Sequence, residues 1–289
     1  MDAFDGARFV RLRSVGRGTK YLAADTDGWS VCISGQRGTY STVWGVQPID
    51  GPDGAECVLL RSVYGRYLFA TESQAGDGSG PAAATVVRQG ILHDTEEPTH
   101  LLRGFQWQAL PRRGSLVLQN VRADRYLRAN GRYCRWRRAA TAALEDAGTM
   151  VLWAIEVVPL AVHRPTINDP VRQLRHRFAP PPLVSRMTRL LRYVVADSVE
   201  DIDMFDDDSW GRMTLQHNNL RRLRLALQAA TGHEVADTTV CIQAGPYGQL
   251  TPLLIDLPID DDRIDVAIVR LGTEADGELE FPQLDGPFE

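Results

Sequence analysis

Lysine is almost missing from this sequence: Lys20 is the single one among 32 basic residues, and every other is arginine. A skew of that size reads as coding bias more than as function. The four cysteines, Cys32, Cys57, Cys134 and Cys241, form no CxxC pair and no other metal-ligand spacing, so a thiolate metal site is not expected. No window approaches the ~20 consecutive apolar residues of a membrane span, so no membrane is expected as a partner. The first residues are acidic and polar and lack the basic start and apolar run of a secretory signal. These absences together point to a reduced, cytoplasmic setting with free thiols. The six histidines show no His-x-x-x-His spacing. Gly78-Ser79-Gly80 misses a nucleophile elbow by one position, and the glycines at 76–80 do not open a helix after a strand, as a phosphate loop would. The acidic run Asp201, Asp203, Asp206, Asp207, Asp208 lacks the glycine and the closing glutamate of a calcium loop and reads as a solvated hairpin loop. No catalytic residue, metal or cofactor is therefore assigned, and the chain is not expected to be an enzyme.

What is present is enough apolar residue for a packed core, 44% of 289, and length for two domains of ~150 residues. Charge is uneven. Residues 1–158 carry 19 basic and 16 acidic side chains, residues 159–185 carry 4 and 1, and residues 186–289 carry 9 and 20. The front of the chain is thus +3 and the back −11, which fits either mutual attraction or two different partners.

The first half is built on a repeat. Val10-Arg11-Leu12-Arg13-Ser14-Val15 and Lys20-Tyr21-Leu22-Ala23-Ala24 return as Val58-Leu59-Leu60-Arg61-Ser62-Val63 with Arg66-Tyr67-Leu68-Phe69-Ala70. They return again as Leu116-Val117-Leu118-Gln119-Asn120-Val121 with Arg125-Tyr126-Leu127-Arg128-Ala129. Each copy is closed by a tryptophan in an alternating run: Trp44, Trp107, Trp153. Period-two alternation predicts four short strands per copy: 9–15, 20–24, 29–34 and 42–49; then 57–63, 66–71, 85–89 and 105–110; then 115–121, 126–129, 133–138 and 150–158. The extra length of the second copy falls in two turn-rich segments, 74–81 and 93–100, read as surface loops. One such unit cannot bury its apolar face alone, so three sharing a core predict a closed barrel with pseudo-threefold symmetry, and Leu12, Leu60 and Leu118 equivalent and inward.

Residues 159–185 are rich in proline and arginine and read as a linker. Beyond it, 190–196 and 210–215 read as paired strands. Leu220, Leu223, Ala226, Leu227 and Ala230 mark one face of a helix capped by Asn219 and stopped by Gly232. Strands at 238–243, 249–257 and 264–271 follow. Two strands, a helix and further strands make a small α+β domain. The acidic, Gly/Pro-punctuated stretch after Leu271 is expected to be disordered.

The pattern Val-x-Leu-Arg-Ser with Tyr-Leu-x-Ala and a closing tryptophan resembles a fascin-like (actin-cross-linking) β-trefoil. The first half resembles more closely a plant family of unknown function carrying such a trefoil, through 7–14, Lys20-Tyr21-Leu22, Tyr64-Gly65-Arg66-Tyr67-Leu68, 126–131 and Val151-Leu152-Trp153. The second half is similar to a ubiquitin-like β-grasp and to the second domain of that same family, through Tyr193-Val194-Val195-Ala196-Asp197, Asp208-Ser209-Trp210-Gly211, Val240-Cys241, 248–253 and Asp256-Leu257-Pro258. The expected architecture is mainly β: a trefoil over 7–158, a linker over 159–185, a ubiquitin-like α+β domain over 186–271 and a tail over 272–289.

The candidate binding stretch is Arg132-Tyr133-Cys134-Arg135-Trp136-Arg137-Arg138. Strand alternation would place Arg135 and Arg137 on one face and Trp136 on the other. Arg132, Arg135, Trp136, Arg137 and Arg138 are the candidate contacts for an acidic protein surface; nucleic acid is not expected. The fascin-like resemblance implies association with actin filaments, and cross-linking would need a second site. The alternative is a carbohydrate-binding trefoil, which ranks lower because carboxylates do not recur at matching positions of the three copies.

Overall fold

The computed structural model describes residues 4–74, 84–92, 98–130, 138–144, 148–165, 188–199, 202, 207–243 and 249–284. Six strands close a barrel: β1 (Phe9–Ser14), β4 (Trp44–Asp50), β5 (Glu56–Arg61), β8 (Trp107–Arg112), β9 (Ser115–Asn120) and β12 (Trp153–Val158). Each pairs antiparallel with the next, and β12 returns to β1. Three hairpins sit beyond it: β2 (Lys20–Ala24) with β3 (Val31–Ser34), β6 (Tyr67–Gln74) with β7 (Thr85–Gly90), and β10 (Arg125–Ala129) with β11 (Ala140–Ala143). The hairpins also join each other, through β11 with β7 and through the bridges Ser30–Arg88 and Cys32–Ala139. Closure of the barrel leaves no free edge among its six strands.

The three copies are equivalent at their core positions. Leu12, Leu60 and Leu118 are fully buried in one core cluster with Trp44, Trp107 and Trp153. Each indole N–H donates to the carbonyl of the leucine in its own copy's Tyr-Leu pair: Trp44 to Leu22 at 3.1 Å, Trp107 to Leu68 at 3.0 Å, Trp153 to Leu127 at 2.9 Å. A buried indole needs that acceptor, which is why tryptophan closes every copy.

The second domain has a five-stranded sheet in the order β14 (Gly211–Leu215), β13 (Arg189–Ala196), β17 (Ile264–Arg270), β15 (Thr238–Gln243), β16 (Thr251–Pro252). Its central pair, β13 and β17, is parallel. A helix (Leu220–Thr231, α2, following α1 at Pro98–Phe105) packs Leu220, Leu223 and Leu227 onto one face of the sheet. Asn219 caps it through the backbone N–H of Arg222, and Gly232 ends it in the left-handed conformation at φ +75.

Four expectations need correction. Of the strand expected over 133–138, residues 133–137 lie outside the described residues and Arg138 lies in a turn; β10 pairs with β11 at Ala140–Ala143. Alanine has low strand propensity, but the buried inner wall here demands small side chains. In the 93–100 segment, residues from Pro98 onward belong to helix α1, with Leu102 and Phe105 on the face that meets Leu59 and Tyr67. The run 249–257 pairs only at Thr251–Pro252, because Pro252 and Pro258 lack the N–H a ladder needs. Its Leu253, Leu254, Ile255 and Leu257 are buried by packing, Ile255 within the barrel's own core cluster.

The fourth correction is the tail, which is folded through Leu284. The backbone of Ala161 donates to Phe281 and that of Gln283 to Pro159, each at 2.8 Å, and Phe281 is buried. A short helix, α3 (Glu274–Gly277), begins this return. Arg8 pairs with Glu280 at 3.2 Å, and Arg11 donates to the Leu284 carbonyl at 3.1 Å. Acidic composition hid the spaced apolar anchors Ala275, Leu279, Phe281 and Leu284. At the root of the tail, burial pushes the Asp276 carboxyl up. Hydrogen bonds from Arg164 at 2.6 Å and from the Gly272 N–H at 3.0 Å outweigh it, holding the carboxyl below its usual range. A lowered folded value stabilises above the unfolded value near ~3.9, and that stabilisation is lost as pH falls through the folded value. Asp276→Asn is therefore expected to lower the melting temperature at pH 6 and to match the wild type near pH 2, which melts across pH will check.

Cys32, Cys57 and Cys241 are buried and form no disulfide among the described residues, and burial pushes all three thiols up; Cys134 lies outside the described residues. These three should resist a thiol reagent in the native chain and react fully once it is unfolded. Fast labelling of all three without denaturant would contradict that.

Candidate binding surface and domain junction

Of the candidate stretch, Arg132, Arg135, Trp136 and Arg137 lie outside the described residues. Arg138 is exposed, and its carbonyl accepts from the Ile33 N–H at 2.7 Å. Arg138 thus lies just before β11, where the three hairpins meet.

The strand register defines a second feature, three equivalent rims. Tyr21 faces Arg13, Tyr67 faces Arg61, and Tyr126 faces Gln119. The neighbouring barrel strand supplies Glu156 to the first rim, Gln47 to the second and Leu110 to the third. The first rim is ionic. Glu156 receives Arg13 Nε at 2.9 Å, Arg37 Nε at 3.0 Å and the Tyr21 hydroxyl at 3.2 Å. Burial first, then the Glu156 charge, push the Tyr21 phenol up. The third rim is apolar, with Leu110 and Tyr126 packed on Val117, Val151 and Leu152.

The second rim is covered by the second domain. The Tyr67 hydroxyl donates to Gln47 at 3.0 Å and accepts the Gln249 backbone N–H at 3.1 Å. Arg61 Nη1 donates to the Leu250 carbonyl at 3.3 Å. Two successive residues of the second domain are thus each held by a backbone atom. Beside them a crevice of about 30 Å³ lies between Gly45, Arg61, Thr251 and Glu280, room for a water rather than an organic ligand.

Arg66, the basic residue of the second copy, anchors the junction. Its equivalents Lys20 and Arg125 are half-buried, whereas Arg66 is buried. Its Nη2 lies 2.8 Å from Asp260 and 3.4 Å from Asp262, its Nη1 donates to the Gly28 carbonyl at 2.5 Å, and its guanidinium sits 4.6 Å from the Trp29 ring centre. Arg189 approaches the same Asp260 from β13 and donates to the Pro258 carbonyl at 2.9 Å. Burial pushes Asp260 above the ordinary carboxylate range, against the pull of both arginines. Asp260 Oδ2 is close to Arg66 but accepts no well-aligned hydrogen bond, so the contact is mainly Coulombic. Gly28 has φ +81, and a Cβ there would stand 2.2 Å from Asp260 and 2.7 Å from Arg66; the fit depends on glycine.

Sequence reasoning missed this junction. Its one visible trace is the shortened turn of the second copy, Ser62 to Arg66, against Ser14 to Lys20 and Asn120 to Arg125. Among the described residues no cluster of three or more His, Cys, Asp or Glu could hold a metal ion, and no helix is long and apolar enough to cross a membrane.

Comparison with known proteins fits this division. The model of a β-trefoil domain of unknown function (DUF569) matches residues 1–155, and that of the DUF569-associated ubiquitin-like domain matches residues 187–269. No curated protein matches. Among solved structures, a Caenorhabditis elegans protein of unknown function is 11% identical (TM-score 0.39) over 52% of this chain and 93% of its own. SeviL, solved with the asialo-GM1 saccharide, is 14% identical (TM-score 0.37) over 52% and 96%. The designed threefold-symmetric ThreeFoil is 16% identical (TM-score 0.38) over 51% and 96%.

Proposed function

The chain belongs to the DUF569 family of β-trefoil domains, followed by that family's ubiquitin-like domain, and on that premise we propose that it is a non-catalytic interaction protein whose trefoil binds an acidic protein surface, that of actin filaments. The observation that carries this reading is the way the trefoil holds its own acidic second half. Arg66 takes Asp260 and Asp262, and Arg8 takes Glu280, so trefoil arginines serve as receptors for polypeptide carboxylates. The basic stretch ending at Arg138 offers the same chemistry to an external partner, and the fascin-like repeat pattern is the reason for naming actin. A trefoil does not specify its ligand by fold alone. The carbohydrate-binding reading has one observation in its favour, the Tyr21–Glu156 pair on the first rim. Glutamine and leucine stand at the two equivalent positions, so that pair is not repeated.

The test is co-sedimentation with actin filaments at two salt concentrations, using wild type and a variant with Arg132, Arg135, Arg137 and Arg138 all changed to serine. Exposed charges are screened beyond ~8 Å at physiological salt, so pelleting should fall as salt rises and fall further in the variant. Equal pelleting of the two overturns the site. No pelleting of wild type at low salt overturns the actin reading.

A further inference from the structure

We propose that the trefoil groove lined by Phe9, Val43 and Val158 is a docking site for an extended segment of a partner protein. That segment carries a carboxylate, an aromatic residue directly after it and a leucine three residues further on. This rests on the interaction reading above, though not on actin as the partner. The chain's own residues 280–284, Glu-Phe-Pro-Gln-Leu, sit in the groove and show what it accepts. Main chain is gripped from two sides. Leu160 bridges Pro282 in antiparallel fashion, with the Ala161 N–H on the Phe281 carbonyl and the Gln283 N–H on the Pro159 carbonyl. Arg11 Nη2 donates to the Leu284 carbonyl at 3.1 Å. Side chains are then sorted: Phe281 and Pro282 are buried, Gln283 is exposed, and Leu284 packs on Phe9, Val43 and Val158. Main-chain bonds for affinity and pockets for chosen side chains are the terms of strand addition. The carboxylate is taken by Arg8, whose Nε lies 3.2 Å from Glu280.

Two observations mark this groove as a receptor. The first is Arg11. Leu59 and Val117 stand at the equivalent positions of the other two copies, so the barrel itself needs only an apolar side chain there. The first copy instead buries an arginine, 1% exposed, and turns it on a main-chain carbonyl, a group that every polypeptide offers. The second is that the resident segment is held lightly. Its ion pair with Arg8 has side chains 62% and 35% exposed, the class that contributes least. Gly277 and Glu278, both exposed, lead into it, and Leu284 is only half-buried. A segment with so few buried contacts opens at a free energy well below that of the domains around it. Being tethered, it competes at an effective concentration on the order of millimolar. The tail thus keeps out weak ligands and yields to a segment that repeats its own pattern.

The test uses the full-length chain and fluorescence anisotropy with two labelled peptides. One has the sequence of residues 278–284; the other, Ser-Thr-Asp-Tyr-Pro-Ala-Leu, keeps only the spacing. A copy of the first with both glutamates replaced by lysine is the comparator. Phe281→Ala combined with Leu284→Ala empties the groove and should tighten binding of both acidic peptides about tenfold or more over wild type. Glu280→Gln, a half-exposed change that leaves the core intact, should tighten it about threefold and carries the same comparison if the double variant does not fold. Added to the emptied chain, Arg11→Leu, which installs the residue that the second copy folds with, should weaken binding about tenfold. Arg8→Gln should weaken it less and remove most of its salt dependence. No binding by any chain, equal affinity in wild type, Glu280→Gln and the double variant, equal binding of the lysine peptide, or no effect of either arginine change overturns the proposal. Binding of the first peptide without the second confines the groove to the chain's own tail and overturns the partner claim. Filament pelleting without peptide binding overturns this inference alone. Binding of both acidic peptides without pelleting supports it and overturns only the actin reading.

Discussion

Replacing Asp260 by alanine is expected to lower stability by about 3–5 kcal/mol, the usual cost of stranding buried charge by removing one partner. The carboxylate sits between Arg66 and Arg189, and all three side chains are at most 6% exposed. Its loss leaves two guanidiniums facing each other in a buried site, with the more exposed Asp262 near Arg66. Asp260→Asn keeps the shape and should cost less. Gly28→Ala should loosen the same junction by steric means, since its Cβ would collide with Asp260, Arg66 and Pro258. Urea unfolding followed by tryptophan fluorescence measures all three. A value for Asp260→Ala within about 1 kcal/mol of wild type would mean the junction is not buried in solution, because only exposed pairs are worth so little.

The tryptophan series should be as costly and more uniform. Trp44→Ala, Trp107→Ala and Trp153→Ala are each expected to lower stability by about 3–5 kcal/mol, the range for removing a buried aromatic. Each also orphans the carbonyl of Leu22, Leu68 or Leu127. The corresponding Trp→Phe changes keep most of the volume but strand that acceptor, for about 1–3 kcal/mol. Agreement among the three positions follows from their common environment. One tolerant tryptophan would mean that its copy packs differently from the other two.

The trefoil was legible because its signals are local and repeated. Leucine at the strand centre, the Tyr-Leu-x-Ala unit and the closing tryptophan each answer a packing need that recurs three times. The helix of the second domain was legible through its caps, Asn219 and Gly232. The strand at Ala140–Ala143 was hidden because burial between hairpins, not propensity, makes it a strand. The tail was hidden because its anchors are spaced singly among acidic residues. The junction was the least legible part. In sequence Arg66 looks like Lys20 and Arg125, and what sets it apart is Asp260, 194 positions away, brought there by the fold of a second domain. A contact made between domains leaves no periodicity behind it. Of the binding residues read from sequence, the structure places Arg138 at the meeting of the three hairpins.

The trefoil has three rims at matching register, and its own second domain occupies one of them. Amide hydrogen exchange over the full-length chain tests it most directly, read for segments 56–68 and 249–260 against 9–24 and 115–129. In wild type the first two segments should exchange slowly, and in Asp260→Ala both should speed up together while the other two keep their wild-type rates. If 249–260 already exchanged in wild type as fast as an undocked loop, with no change in Asp260→Ala, the second domain would not be seated on that rim.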